Sequence, residues 1–132
     1  MSRTLRLIVG IAVLAALALG NVASASAGGQ KILDTSLTGI PTGGLVLDGI
    51  VGGGVPWALD DGRAKLFADG RLQVEVEGLV LNTTPPNPTN PIPNARAIVT
   101  CGHVVAARSE IVPFSPAGDG RVKTTVSLPS PC

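Results

Sequence analysis

The sequence predicts an all-β fold: a single small antiparallel β-sandwich, immunoglobulin-like or jelly-roll-like, that follows an N-terminal signal peptide. Short β-branched runs recur along the chain and are separated by Gly, Pro, Asn and Asp. No stretch keeps apolar residues at the i, i+3, i+4 and i+7 positions of a helix. With 45% hydrophobic and 14% charged residues, the chain has the composition of a folded domain rather than of a disordered one.

The first segment of the chain has the pattern of a cleavable export signal. Two arginines flank the start of an apolar run, Leu7–Leu19, and small-residue motifs that suit signal peptidase end at Ala25 and Ala27. About 13 residues at ~1.5 Å each are too short for a ~30 Å hydrocarbon core. We therefore expect residues 1–27 to be removed and residues 28–132 to form one secreted domain without a membrane span.

Nine candidate strands lie between the turn signals, a number that suits a sandwich or a small barrel. In chain order they are Lys31–Thr35, Gly44–Val51, Pro56–Leu59, Arg63–Phe67, Arg71–Leu81, Ala95–Cys101, His103–Ala107, Glu110–Phe114 and Arg121–Leu128. The Gly-rich run 39–54 is interpreted as close strand packing with bends, and the Pro-rich run 82–94 as an exposed loop. This loop carries a glycosylation pattern at Asn82, which is used only if the host glycosylates exported chains.

The segment Arg63–Glu77 is the one whose strand register the side-chain pattern decides. A three-residue loop, Ala68–Gly70, places Leu66 opposite Leu72, so that one face is apolar and the other is charged. A two-residue loop would mix the two faces. We expect Gly70 to take a positive φ, which a residue without Cβ adopts at little cost.

The tripeptide Asp-Gly-Arg occurs three times, beginning at Asp61, Asp69 and Asp119, each time before an alternating run. We interpret all three as turns, because Asp and Gly favour turn conformations. The alternative is an adhesion motif, but the residue order differs from Arg-Gly-Asp. The unequal spacing of the three copies also excludes a regular repeat array.

Two cysteines, Cys101 and Cys132, are present, and an even count in an exported chain favours a disulfide. Closing a loop of roughly 32 residues would stabilise the fold by about 3.5 kcal/mol in the chain-entropy model. A metal site would need further ligands, since His103 alone cannot complete a tetrahedral set with two distant thiolates. We therefore expect no metal and no cofactor.

Few side chains are suited to catalysis. His103 could act as a general base, with Ser109 or Ser115 as nucleophile and Glu110 as orienting carboxylate. No Gly-x-Ser-x-Gly elbow is present to expose a serine, and the Gly-rich run lacks the lysine of a phosphate-binding loop. A turn or surface role for His103 is therefore favoured, and we expect no enzymatic activity.

Trp57 is the single tryptophan and could stack on a sugar or a base. Because no second aromatic residue is predicted beside it, a core position is favoured. The leading hypothesis is a non-enzymatic structural or interaction module with an extracellular or cell-envelope partner. The alternative is a module that binds carbohydrate or another envelope ligand through Trp57 and the adjacent loops.

The charge balance favours no nucleic-acid partner. Without Arg3 and Arg6 the chain keeps eight basic and nine acidic residues, a formal net charge of −1. The basic residues are scattered from Lys31 to Lys123, whereas a nucleic-acid binder clusters them to displace counterions from phosphates.

A resemblance to a known group is carried by the leader and by three further segments: Val55–Arg63, Asp69–Leu81 and Val126–Cys132. Together they resemble small exported bacterial proteins of unknown function, and the likeness covers most of residues 28–132. In that group a central cysteine, here Cys101, and a cysteine after Ser-Leu-Pro, here Cys132, look like a disulfide pair. The pattern of Asp69–Leu81 has a weaker likeness to bacterial chordin-type domains, whose His-x-His element has no match around His103, so it implies no site.

The proteins of that group continue past the second cysteine into a last apolar strand, whereas this sequence stops at Cys132. One sheet edge would then be uncovered, and Pro129 and Pro131 would end pairing there. We expect a monomer. The alternatives are an edge-to-edge dimer and a partner that donates a strand.

Overall fold

The computed structural model describes residues 29–41, 44–82 and 89–132, which form twelve β-strands and no helix. The all-β prediction is confirmed, while the predicted signal peptide lies outside the described residues. The strands are β1 Lys31–Ser36, β2 Val46–Leu47, β3 Ile50–Val51, β4 Trp57–Ala58, β5 Asp61–Phe67, β6 Arg71–Glu77, β7 Val80–Leu81, β8 Asn94–Ala95, β9 Ile98–Cys101, β10 Val104–Arg108, β11 Val112–Pro113 and β12 Gly120–Thr125.

The longest strands form one four-stranded antiparallel sheet in the order β1-β5-β6-β12. The predicted hairpin register is confirmed, since Leu66 pairs with Leu72 across β5 and β6. Gly70 has the expected positive φ of 87°. A Cβ at Gly70 would also collide with the carbonyl oxygen of Val126, so two independent constraints favour glycine there.

Side-chain alternation divides this sheet into an inner and an outer face. The inner face holds the buried Ala64, Leu66, Leu72 and Val122, and Phe114 is buried against Gly120 at the start of β12. The outer face holds the charged residues of the same strands. In β1 the register shifts at Ile32, which is a bulge, and all six residues of this edge strand are exposed.

The remaining strands form four separate two-stranded ladders within the described residues: β2-β3, β4-β7, β8-β11 and β9-β10. All are antiparallel, and most of their strands have only two residues. The chain therefore consists of several small antiparallel sheets rather than of two continuous ones.

Three predicted strands are wrong. The strand predicted over residues 95–101 is divided into β8 and β9, because the Ala97 N–H binds the Ser109 hydroxyl instead of a ladder partner. A glycine interrupts each of the other two. The segment predicted as one strand over residues 44–51 is a hairpin that turns at Asp48 and Gly49, both with positive φ, as a tight two-residue turn requires. The strand predicted over residues 71–81 breaks at Gly78, which has a φ of 65° and donates its N–H to the Asp119 carboxylate at 3.0 Å.

Two of the three Asp-Gly-Arg segments are not turns. Gly62 lies inside β5, where its missing side chain lets Leu37 and Leu59 approach the strand. Gly120 begins β12, and the turn before it has its positive φ at Gly118. Only the segment at Asp69 forms the predicted loop, because there the apolar pattern on both sides also requires the chain to reverse.

Candidate functional site

A partly open cavity of about 560 Å³ lies against the inner face of the four-stranded sheet. The sheet contributes one wall of it, and strands β8, β9 and β11 contribute another, through residues such as Ala95, Ile98 and Val112. We call it the interlayer cavity. Its lining is dominated by aliphatic side chains, with Phe114 as the single aromatic residue.

The cavity exists because small side chains face it from both walls. Ala64 lines it from the central strand β5 and Gly120 from the start of β12, while Ala95 and Ala97 line it from the other side. No large side chain of the described residues is fully removed from solvent. Protein interiors are normally packed as densely as organic crystals, so an apolar space of this size can accept a further apolar molecule.

Among the residues that the structure describes, Arg96 and Arg121 are the charged residues that line the cavity, and no acidic residue lines it. Arg121 reaches Glu75 on the outer face, with Nε and Oε1 2.9 Å apart. Arg96 is exposed in the short link between β8 and β9, and the structure gives it no ion pair with any described carboxylate. The rim of the cavity therefore carries a cation without a carboxylate partner in the described chain.

A disulfide joins Cys101 at the end of β9 to Cys132, which lines the cavity. The two Cα atoms are 5.0 Å apart, and the bond spans 31 residues of sequence. The predicted pairing of these residues is therefore seen. Its position ties the last described residue to the ladder that forms the second wall.

Two buried polar residues, Asn90 and Ser109, hold the loops of the second wall, and sequence analysis did not predict this role for either of them. Asn90 is 6% exposed; it donates to the carbonyl oxygens of Ile92 and Ser115 at 2.8 and 2.9 Å and accepts from the Ile92 N–H at 3.0 Å. Ser109 accepts from the Ala97 N–H at 2.9 Å. These contacts replace strand pairing in segments too short to form a sheet.

The second residue, Ser109, also donates its hydroxyl to the Glu110 carbonyl oxygen at 2.7 Å. Ser115 exchanges hydrogen bonds with Asp119, and the Glu110 carboxylate accepts from Thr124 at 2.9 Å. The catalytic set considered for His103 is therefore not assembled, because each of its proposed members is engaged elsewhere.

His103 instead pairs with Asp48, with Nδ1 and Oδ1 2.7 Å apart, where the tips of two hairpins meet. The Thr100 hydroxyl donates to the other oxygen of Asp48 at 2.6 Å. The hydrogen bond from Thr100, followed by that with His103, holds the pKa of the Asp48 carboxyl below its ordinary value. The imidazole is 92% exposed, so this pair joins two turns at the surface.

Trp57 lies in β4, opposite Leu81, and its backbone N–H donates to the Ile40 carbonyl oxygen at 2.7 Å. It is half-buried and lies outside the cavity lining. The side chain of Trp57 is therefore neither in the buried core, as the sequence favoured, nor fully exposed as a stacking platform.

Basic residues that are scattered in sequence come together on the outer face of the four-stranded sheet, because alternation and register align them. Arg63 pairs with Glu75, and Lys65 pairs with Gln73. Acidic residues are interleaved, and ion pairs there include Lys31 with Asp34, Arg71 with Asp69 and Arg121 with Glu75, at 2.7, 2.8 and 2.9 Å. This face is charged but nearly balanced.

No helix of the described segments has the length and apolar character needed to cross a bilayer, and no three His, Cys, Asp or Glu side chains in them are grouped closely enough to hold a metal ion. Comparisons with family models, curated proteins and solved structures found no match to this chain.

Proposed function

We propose that the protein is an exported, non-enzymatic binding module that holds an apolar ligand in the interlayer cavity. The observation that carries this proposal is an apolar space of about 560 Å³ bounded by two sets of strands. Small-molecule sites of proteins are typically concave, mostly apolar and about 300 to 1,000 Å³ in volume. Transfer of apolar ligand surface from water into such a space is favourable by about 25 cal/mol per Å².

Export and a sandwich architecture are both parts of this proposal. The leader pattern of residues 1–27 is that of a cleaved signal peptide, and disulfides such as Cys101–Cys132 persist in oxidising compartments. The four-stranded sheet would be one layer of a β-sandwich and the short ladders the other, with the ligand between them. The ligand would then come from the cell envelope or its surroundings.

The proposal predicts binding of a neutral apolar dye, N-phenyl-1-naphthylamine, by the protein without its leader. We expect saturable fluorescence enhancement at one site. Ala97→Phe adds a ring to the cavity wall and should weaken binding at least about tenfold, since the dye and the ring compete for one space. Ala68→Phe, in the exposed loop after β5, is the matched control and should leave binding unchanged.

Urea unfolding of both variants would show that each is folded under the binding conditions. The absence of saturable dye binding would contradict the proposal, and so would equal binding by the Ala97→Phe and Ala68→Phe variants.

Carbohydrate binding through Trp57 is a second candidate, supported by the half-exposed position of the indole. Because Trp57 is the single tryptophan, intrinsic fluorescence reports on it directly. A glycan that stacks on the ring should shift its emission in a saturable way. An emission maximum typical of a buried indole, unchanged across a glycan panel, would exclude this candidate.

A further inference from the structure

We infer that the ligand is an anionic amphiphile whose single apolar chain lies in the interlayer cavity and whose acidic head group binds Arg96. This inference depends on the proposed function, because it names the chemical class of the molecule held at the same site. It rests on the pairing of an aliphatic lining with Arg96, a lining residue that forms no ion pair with any described carboxylate.

The charge at the rim favours an anion over a cation or a neutral molecule. Arg121 is neutralised by Glu75, whereas Arg96 has no ion pair with any described carboxylate. Arg96 is exposed, so its guanidinium keeps its hydration until a ligand arrives. A guanidinium offers a planar fork of donors that matches the two oxygens of a carboxylate or a phosphate.

The inner part of the cavity favours an unbranched apolar chain. Leu66, Leu72 and Val122 line the cavity from the sheet, Ile98 and Val112 line it from the opposite wall, and no acidic residue of the described segments is among the lining residues. A polar ligand would lose hydrogen bonds to water there without replacement, whereas methylene groups would not. Affinity should therefore rise with chain length, by up to about fourfold in Kd for each methylene until the cavity is filled.

The position of Arg96 fits a head group at the surface with the chain inside. It lies between Ala95 and Ala97, which both line the cavity, so the backbone at this point is itself part of the wall. Arg108, at the end of β10, is also exposed but does not line the cavity, which makes it the matched control.

The test uses three amphiphiles with the same twelve-carbon chain: dodecanoate, dodecanol and dodecyltrimethylammonium, each below its micelle concentration. Their binding to the protein without its leader is measured by calorimetry and by displacement of N-phenyl-1-naphthylamine. Dodecanoate should bind at least about tenfold more tightly than the cation, and dodecyl phosphate should identify whether a phosphate head serves equally well.

Arg96→Gln should remove the preference for dodecanoate, Arg96→Lys should retain most of it, and Arg108→Gln should leave it intact. The preference should also weaken as salt is raised, because the head-group contact is exposed. Binding of the neutral dye should be the same in all three variants, which shows that each is folded with its cavity open.

Equal binding of the three amphiphiles would overturn this inference, and so would a preference for dodecanoate that survives in Arg96→Gln. In either case saturable dye binding would still support the proposed function. Absence of dodecanoate binding by calorimetry would overturn it as well. Absence of dye binding, together with no effect of Ala97→Phe, would instead remove the proposed function itself.

Discussion

The two walls of the interlayer cavity are built in different ways. One is a four-stranded sheet whose central strands have seven residues each and pair in one continuous register. The other comes from short ladders, with strands of two to five residues, joined by loops. The first wall is stabilised mainly by backbone pairing and a buried apolar face, and the second mainly by side chains bonded to backbone and by a disulfide.

This difference indicates how a small chain can keep a cavity open. A regular sheet provides a fixed apolar surface, while a wall of short segments cannot extend its pairing to close over that surface. Asn90, Ser109 and the Cys101–Cys132 bond link the short segments to one another. Substitutions in each wall would show which contacts stabilise it.

The largest expected effect is the loss of the disulfide. Cys101→Ser and Cys132→Ser should each lower the free energy of unfolding by about 3.5 kcal/mol, because both remove the same cross-link from the unfolded chain. Urea unfolding measures this, with the double variant as control, which should match either single variant. A difference between the two single variants of more than about 1 kcal/mol would contradict the shared cross-link.

Shortening a buried side chain of the four-stranded sheet should lower the free energy of unfolding slightly less than loss of the disulfide. Leu72 is 3% exposed on the inner face, and Leu72→Ala should lower the free energy of unfolding by about 3 kcal/mol through lost burial and an enlarged cavity. Val104, in β10, is 67% exposed, and Val104→Ala should change it by less than about 0.5 kcal/mol. Similar losses for the two variants would show that the buried sheet face does not dominate stability.

Removal of one side-chain link in the second wall should have an intermediate effect. Asn90→Ala leaves the Ile92 N–H and the Ser115 carbonyl oxygen without their partner and should cost about 2 kcal/mol. Asn94→Ala, at an exposed position of β8, is the control and should be nearly neutral. Hydrogen exchange at Ile92 should accelerate in the first variant alone.

The smallest expected effect is on the loss of stability at low pH, to which Asp48 contributes. The pKa of Asp48 is lowered in the folded state by hydrogen bonds from Thr100 and with His103, so its carboxylate contributes stability above its ordinary pKa of 3.8. That contribution is lost as the pH falls through the lower folded value. Asp48→Asn should therefore flatten the decrease in unfolding free energy below about pH 4.

Asp61→Asn is the control for this prediction, at an exposed carboxyl without a side-chain hydrogen bond to described residues. An unchanged acid dependence in Asp48→Asn would show that the link between the two hairpin tips does not contribute to folding.

The hairpin of β5 and β6 could be predicted because its determinants are local. The alternation on both sides of Asp69 and Gly70 fixes the register of Leu66 with Leu72 without any knowledge of the rest of the chain. The Asp48–Gly49 turn carried an equally local signal, but it lies inside an apolar run that suggests one strand. At this position the turn dipeptide, not the apolar run, determines the local structure.

Other features depend on contacts that no local pattern contains. The strand break at Gly78 is stabilised by the carboxylate of Asp119, 41 residues away in sequence. The charged outer face forms because β5, β6 and β12 pair in register. The basic residues on it are far apart in the sequence, so their positions along the chain do not show that they share a face. The cavity depends on the summed volumes of side chains from both walls, which the sequence of either wall alone does not contain.

The bulge at Ile32 affects how strongly copies of the protein associate through the edge strand β1 at high concentration. β1 is an edge strand, and its unpaired backbone groups would be a template for a second chain. The extra residue shifts the spacing of those groups, and Lys31 and Asp34 place charges on either side of the shift. We therefore expect filament growth along this edge to be disfavoured, which would appear as light scattering per unit mass that stays constant as the protein is concentrated.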